Sequence, residues 1–153
     1  MFDERRQLSL MLDYSFGKGV SSALPKDGLK LIYSRKSGRV KQVLYNGKNF
    51  ATMKPNGAIA LSVYGATLLR RRKPFLKNCV IVTDDAAEFV RRGKSVFCKF
   101  VKSAGDNVLA RSEVTVLDGD GRVLGVGKAI VPGSVMRGFK SGVAVKVREG
   151  SKL

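Results

Sequence analysis

The chain has 153 residues, of which 29 are lysine or arginine and 12 aspartate or glutamate, giving a formal charge of +17. A hydrophobic content of 44% can bury a core, which excludes a disordered basic tail, and the length allows one compact domain or two small ones. There is no histidine, so Ser-His-Asp and Cys-His nucleophilic sites and all histidine-bearing zinc sites are excluded.

Charge of this size in a foldable chain is self-repelling unless a polyanion offsets it, and the expected partner is nucleic acid. The cysteines, Cys79 and Cys98, are too few for a structural zinc cage. Each lies in an apolar run and reads as a small hydrophobe rather than half of a bridge. With no signal-like segment and no membrane-length apolar run, the expected location is the cytoplasm.

In chain order, residues 3–12 mix charges with Leu8, Leu10, Met11 and Leu12 and predict a short amphipathic helix. Phe16-Gly17-Lys18-Gly19 predicts a turn, and Val20 to Leu24 a helical turn stopped by Pro25. Strands follow over Leu29–Tyr33, Val40–Tyr45, Phe50–Met53 and Ala58–Ser62. They are separated by the turns Arg35-Lys36-Ser37-Gly38, Asn46-Gly47 and Pro55-Asn56-Gly57. A helix over Val63 to Arg72 ends in the basic run Arg70-Arg71-Arg72-Lys73 before Pro74, where a linker is expected. Residues 1–77 hold 16 basic and 4 acidic side chains, and residues 78–153 hold 13 and 8.

The second half opens with a strand at Cys79–Val82 and a helix through Val90, capped by Thr83 or Asp84 and closed by Gly93. Ser95–Val101 reads as a strand, Val114–Leu117 and Val123–Val131 as a hairpin about Asp118-Gly119-Asp120-Gly121, and Ser134 as the cap of a helical turn through Phe139. The last strand is expected over Val143–Arg148, with Val143, Val145 and Val147 inward and Ala144, Lys146 and Arg148 outward. Many short strands with glycine turns and few short helices predict a small barrel.

Catalytic motifs are lacking. Asp84-Asp85 reads as a helix-start pair, and Asp118 to Gly121 lacks the ligand spacing of a calcium loop. Gly17-Lys18-Gly19 and Gly125-Val126-Gly127-Lys128 do not complete a phosphate-binding loop. Cationic strand faces are the more specific signal. Lys99 lies on the same face as Ser95 and Phe97 of this strand. If Val96, Cys98 and Phe100 fill the core, Phe97 is half exposed near Lys99 and stacks on a base; the preferred reading is that Phe97 packs under a helix.

From Asn78 to Gly150 the chain resembles a PUA domain, the RNA-binding pseudo-barrel of pseudouridine synthases and archaeosine transglycosylases. The resemblance lies in Gly93-Lys94-Ser95-Val96-Phe97, the pair Val126-Gly127 and Gly142-Val143-Ala144-Val145-Lys146-Val147. Upstream, Asp13-Tyr14-Ser15-Phe16-Gly17-Lys18-Gly19, Tyr33-Ser34-Arg35-Lys36-Ser37-Gly38-Arg39-Val40 and Gly65-Ala66 resemble the domain preceding PUA in archaeosine tRNA-guanine transglycosylase. The implied fold is α+β, with a small α+β domain over 1–76 and a PUA-type β pseudo-barrel over 77–153. The family's catalytic β/α barrel, with its aspartate pair and zinc, needs about 250 residues and has no room here.

The resemblance therefore implies a non-catalytic, cofactor-free RNA binder that grips the acceptor stem and 3′ end of tRNA. It would act as a separate RNA-binding subunit for a transglycosylase catalytic chain; the alternative is a free-standing translation or ribosome-associated factor. The candidate RNA-contacting residues are Arg71, Arg72, Arg91, Arg92, Gly93, Lys94, Phe97, Lys99, Lys140, Lys146 and Arg148.

Overall fold

A computed structural model describes residues 4–152 and divides the chain into two compact units, Met1–Phe75 and Leu76–Leu153. In the first unit, helix α1 (Glu4–Phe16) buries Leu8, Leu12 and Phe16, one turn apart on one stripe. It runs past the predicted residue 12 because Phe16 continues that stripe and packs its ring 5.6 Å from that of Phe75. A 3-10 turn (Val20–Ala23) follows and stops before Pro25, as its sequence implies.

The strands β1 (Leu29–Tyr33), β2 (Val40–Tyr45), β3 (Lys48–Met53) and β4 (Ile59–Leu61) form an antiparallel meander in chain order. Asn46 and Gly47 both take positive φ, 49° and 81°, the pair of values a tight hairpin requires. Leu31, Val43, Phe50 and Ala51 face the core.

Helix α2 (Val63–Leu69) starts at Ser62, whose hydroxyl accepts from the Gly65 amide at 2.9 Å and donates to the Asn49 carbonyl at 2.6 Å. It ends before the predicted Arg72 because the chain turns into a 3-10 segment (Lys73–Asn78) at Pro74. Gly65 lies so close to β3 that a Cβ there would collide with the Phe50 carbonyl oxygen. Gly65→Ala is therefore expected to destabilise the first unit by about 1 to 2 kcal/mol, read from its denaturation midpoint, despite alanine's better helix propensity.

The second unit is a six-stranded sheet with a helix against it. Its strands are β5 (Cys79–Val82), β6 (Val96–Phe97), β7 (Val101–Ala104), β8 (Glu113–Leu117), β9 (Val123–Ala129) and β10 (Val143–Gly150). Their order is β6-β10-β9-β8-β5-β7, antiparallel except for the parallel pair β5 and β8. The edge strands β6 and β7 are joined by one 3-10 turn (Cys98–Phe100), so the sheet curls until its edges meet through the chain itself. This is the expected pseudo-barrel. Val80, Val116, Leu124, Val145 and Met136 fill its core beneath α3 (Asp84–Arg91) and the short α4 (Gly133–Met136).

Three local expectations are corrected. Ser95–Val101 is not one strand, since the turn at Cys98–Phe100 hands the chain from one sheet edge to the other. Ala144 is buried rather than outward, because the ladder shifts register between Val143 and Val145. The helical turn near Ser134 begins after Pro132 and stops at Met136, short of Phe139. Cys79 and Cys98 are both buried free thiols, and burial pushes the Cys98 thiol up.

Candidate nucleic-acid interface

The geometry starts at the C-terminal end of α3. Ala86 and Val90 anchor the helix to the barrel, while Asp84 and Asp85 sit at its N-terminal end, where the helix dipole favours acids. Thr83 caps through its backbone only; its Oγ1 is buried without a hydrogen-bond partner among the described residues. Gly93 takes φ +89°, so its amide donates to the Val90 carbonyl at 2.9 Å and the Lys94 amide to the Phe89 carbonyl at 2.9 Å. That pair of bonds closes the helix and turns Arg91, Arg92 and Lys94 outward in succession.

Glu88 organises this corner. Its Oε1 accepts from Arg92 Nε and Lys152 Nζ, each at 3.1 Å, and Arg91 lies 3.9 Å from Oε2. The bonds from Lys152 and then Arg92 hold the Glu88 carboxyl below its ordinary pKa. Its contribution to stability is thus present above the ordinary carboxylate range and is lost as pH falls through that lowered value. Lys152 also donates its backbone amide to the Arg91 carbonyl at 2.9 Å, binding the chain beyond β10 to the end of α3.

β10 lies beside β6, with Val145 opposite Val96. On the other side, Lys146 pairs with Lys128 of β9, and Lys128 with Glu113 of β8, so these side chains share the outer face. Arg148 reaches the Glu113 carboxylate at 2.7 Å, which draws it toward β8. Lys94 and Lys146 are exposed and make no ion pair among the described residues.

The remaining predicted residues divide. Phe97 is 47% exposed, which corrects the reading that it packs under a helix: Val96 takes the inward position and Phe97 is left at the rim opposite Val143. Lys99 sits in the 3-10 turn with its Nζ 5.0 Å from the centre of the Phe100 ring, so it does not continue a strand face with Phe97. Lys140 lies exposed in the loop before β10. Arg71 and Arg72 belong to the first unit, where Arg72 donates to the Ser22 carbonyl at 3.3 Å.

Lys128 and Lys152 were missed by sequence reasoning. Lys128 stood in a Gly-Val-Gly-Lys run weighed only as a phosphate loop; Lys152 follows the last strand and carries no periodic signal. If the corner binds phosphate, Glu88 competes for its cations. Glu88→Gln is then expected to tighten RNA binding about two- to fivefold at low salt, checked by equilibrium titration, an effect that fades as salt screens it.

Among the described residues no three His, Cys, Asp or Glu side chains gather as a metal site, and no helix is long and apolar enough to cross a membrane. What this face presents is fixed positive charge and a half-exposed aromatic ring. Residues 78–150 match the PUA domain, and residues 6–75 match the patch-forming domain C2 of tRNA-guanine transglycosylase. The chain thus carries a PUA domain in its second unit, and its first unit resembles the domain C2 of tRNA-guanine transglycosylase.

The tRNA-guanine(15) transglycosylase of Thermoplasma acidophilum is 36% identical over 145 residues, 94% of this chain but 23% of that protein. This chain therefore spans about a quarter of the length of the curated relatives it matches. A hypothetical protein of Pyrococcus horikoshii OT3 has the same fold, with a TM-score of 0.75 at 23% identity, over 97% of this chain and 90% of that one. A conserved PUA domain protein from Thermoplasma acidophilum gives 0.67 at 21% identity, over 97% and 91%.

Proposed function

We propose that this chain is a non-catalytic RNA-binding module in tRNA modification, holding the acceptor stem and 3′ end of tRNA for a separate transglycosylase catalytic chain. One observation carries the reading: Lys146 of β10 and Lys128 of β9 are cross-strand partners on the outer face of a PUA-type barrel, and to this cationic band we add the exposed Lys94 at the closed end of α3. Phosphate contacts of this kind position a folded RNA without reading its sequence. Phe97 at the rim offers a stacking surface for an unpaired base, such as those at a tRNA 3′ end. Arg91, Arg92 and Lys140 extend the band, and Arg148 joins it when phosphate displaces Glu113. Lys99, Arg71 and Arg72 contribute through the general field rather than this band.

In this reading the chemistry belongs to the partner chain. Glu88 and Glu113 are engaged in ion pairs, and Asp118 Oδ1 accepts from the Asp120 and Arg122 amides at 2.9 Å. The test is recovery and sequencing of RNA bound to the full chain in cells, then affinity measured after trimming the 3′ nucleotides. Enrichment of tRNA and weaker binding after trimming support the reading. Enrichment of ribosomal RNA would overturn it in favour of a translation factor.

A further inference from the structure

The first unit contains a cleft of about 680 Å³ that the band on the barrel does not use. That volume lies in the range of small-ligand sites. Gln7 and Met11, one turn apart on α1, form one wall; Tyr33, Arg39 and Lys41 from the β1–β2 hairpin and Met53 from β3 form the others. The cleft opens where β1 shifts register between Ile32 and Tyr33, so that Tyr33 pairs with Val40 at the hairpin end.

Three features of the walls select the ligand. First, Arg39 and Lys41 supply positive charge, make no ion pair among the described residues, and no carboxylate lines the cleft. Second, the Tyr33 ring is 40% exposed and offers a flat face; the Glu4 carboxylate lies beside its hydroxyl, whose pKa is raised by desolvation first and then by Glu4. Third, Gln7 Oε1 is buried with no hydrogen-bond partner among the described residues, an acceptor lacking an N–H donor. Inorganic phosphate would meet only the first feature. An apolar ligand would strand the cations. A nucleotide joins an anion, a planar ring and N–H donors in one unit.

Resting on the RNA-binding reading above, we infer that this cleft seats one unpaired nucleotide of the bound RNA. Its phosphate lies toward Arg39 and Lys41, its base against Tyr33, and a base N–H toward Gln7 Oε1. An already unpaired nucleotide avoids the cost of unstacking, and stacking on an aromatic ring tolerates any base.

The experiment titrates the isotope-labelled full chain with the four nucleoside 5′-monophosphates, the parent nucleosides and inorganic phosphate, following amide resonances. The expected result is movement of the Gln7 side-chain amide and of Tyr33, Ser34 and Gly38, with a monophosphate binding at least about tenfold more tightly than its nucleoside or phosphate alone. Inorganic phosphate reproducing the whole pattern, or no movement at these residues, would overturn the inference.

A second arm measures binding of a tRNA to wild type, to Tyr33→Ala, to Gln7→Leu and to Arg39→Glu with Lys41→Glu, with Lys26→Glu as the charge control on the same unit. Each cleft variant is expected to lose about fivefold or more, beyond the control. Wild-type affinity in all of them would sink the cleft and leave the barrel reading intact. No RNA binding by wild type would sink both.

Discussion

Reversing Lys94 and Lys146 together to glutamate is expected to weaken tRNA binding by about 10- to 100-fold at low salt and to reduce the salt slope by about two. Both side chains are exposed, and neither makes an ion pair among the described residues. Reversal therefore removes two phosphate contacts and adds repulsion without breaking a native bond. Reversing Lys26 and Lys48 in the first unit changes net charge equally and serves as the control. Lys48 lies 5.3 Å from the centre of the Tyr64 ring, outside the barrel. Equal losses in the two double variants would mean diffuse attraction rather than a defined band.

Gly150→Ala is expected to cost the second unit about 2 to 4 kcal/mol, more than the loss of an ordinary surface contact. A Cβ at this position would run into the Arg91 carbonyl oxygen, with Arg91 C and the Gly93 amide nitrogen each only 2.6 Å away. All three are backbone atoms, so no rotamer change relieves them. The end of α3 must move away from β10, which also breaks the Lys152 amide bond to Arg91. For a unit of this size the melting midpoint should drop by about 10 to 20 °C. Because the displaced segment carries Arg91 to Lys94, RNA affinity should fall in the still-folded fraction. A variant with unchanged melting would show that the close approach is easily relieved.

The sequence made the architecture legible where side-chain period and turn chemistry agreed. Val40–Tyr45 ends where expected because Asn46-Gly47 admits only one tight turn, and the α3 stop is written in Gly93. The reading failed where tertiary closure overrides period. Barrel closure requires a sharp transfer between β6 and β7, and the 3-10 turn that provides it breaks the alternation over Ser95–Val101. The register shift between Val143 and Val145 buries Ala144 for a related reason. The steric roles of Gly65 and Gly150 were hidden because they depend on distant backbone, Phe50 and Arg91, rather than on any local turn.

The alternation in β10 places Lys146 and Arg148 outward, as the structure has them, yet nothing in the sequence links Glu88 to Lys152 or Arg148 to Glu113. Those pairs decide which cations are available at once and which must first be released from a carboxylate. Lys128 joins the band only through cross-strand pairing with Lys146.

The most direct measurement is the equilibrium affinity of the full chain for one folded tRNA across a salt series. If several phosphates are neutralised by the barrel's cations, the logarithm of affinity falls linearly with the logarithm of salt. For six or more contacts the loss is about a thousandfold or more between 50 and 200 mM. Affinity that stays flat over that range, or no binding at the lowest salt, would contradict the account.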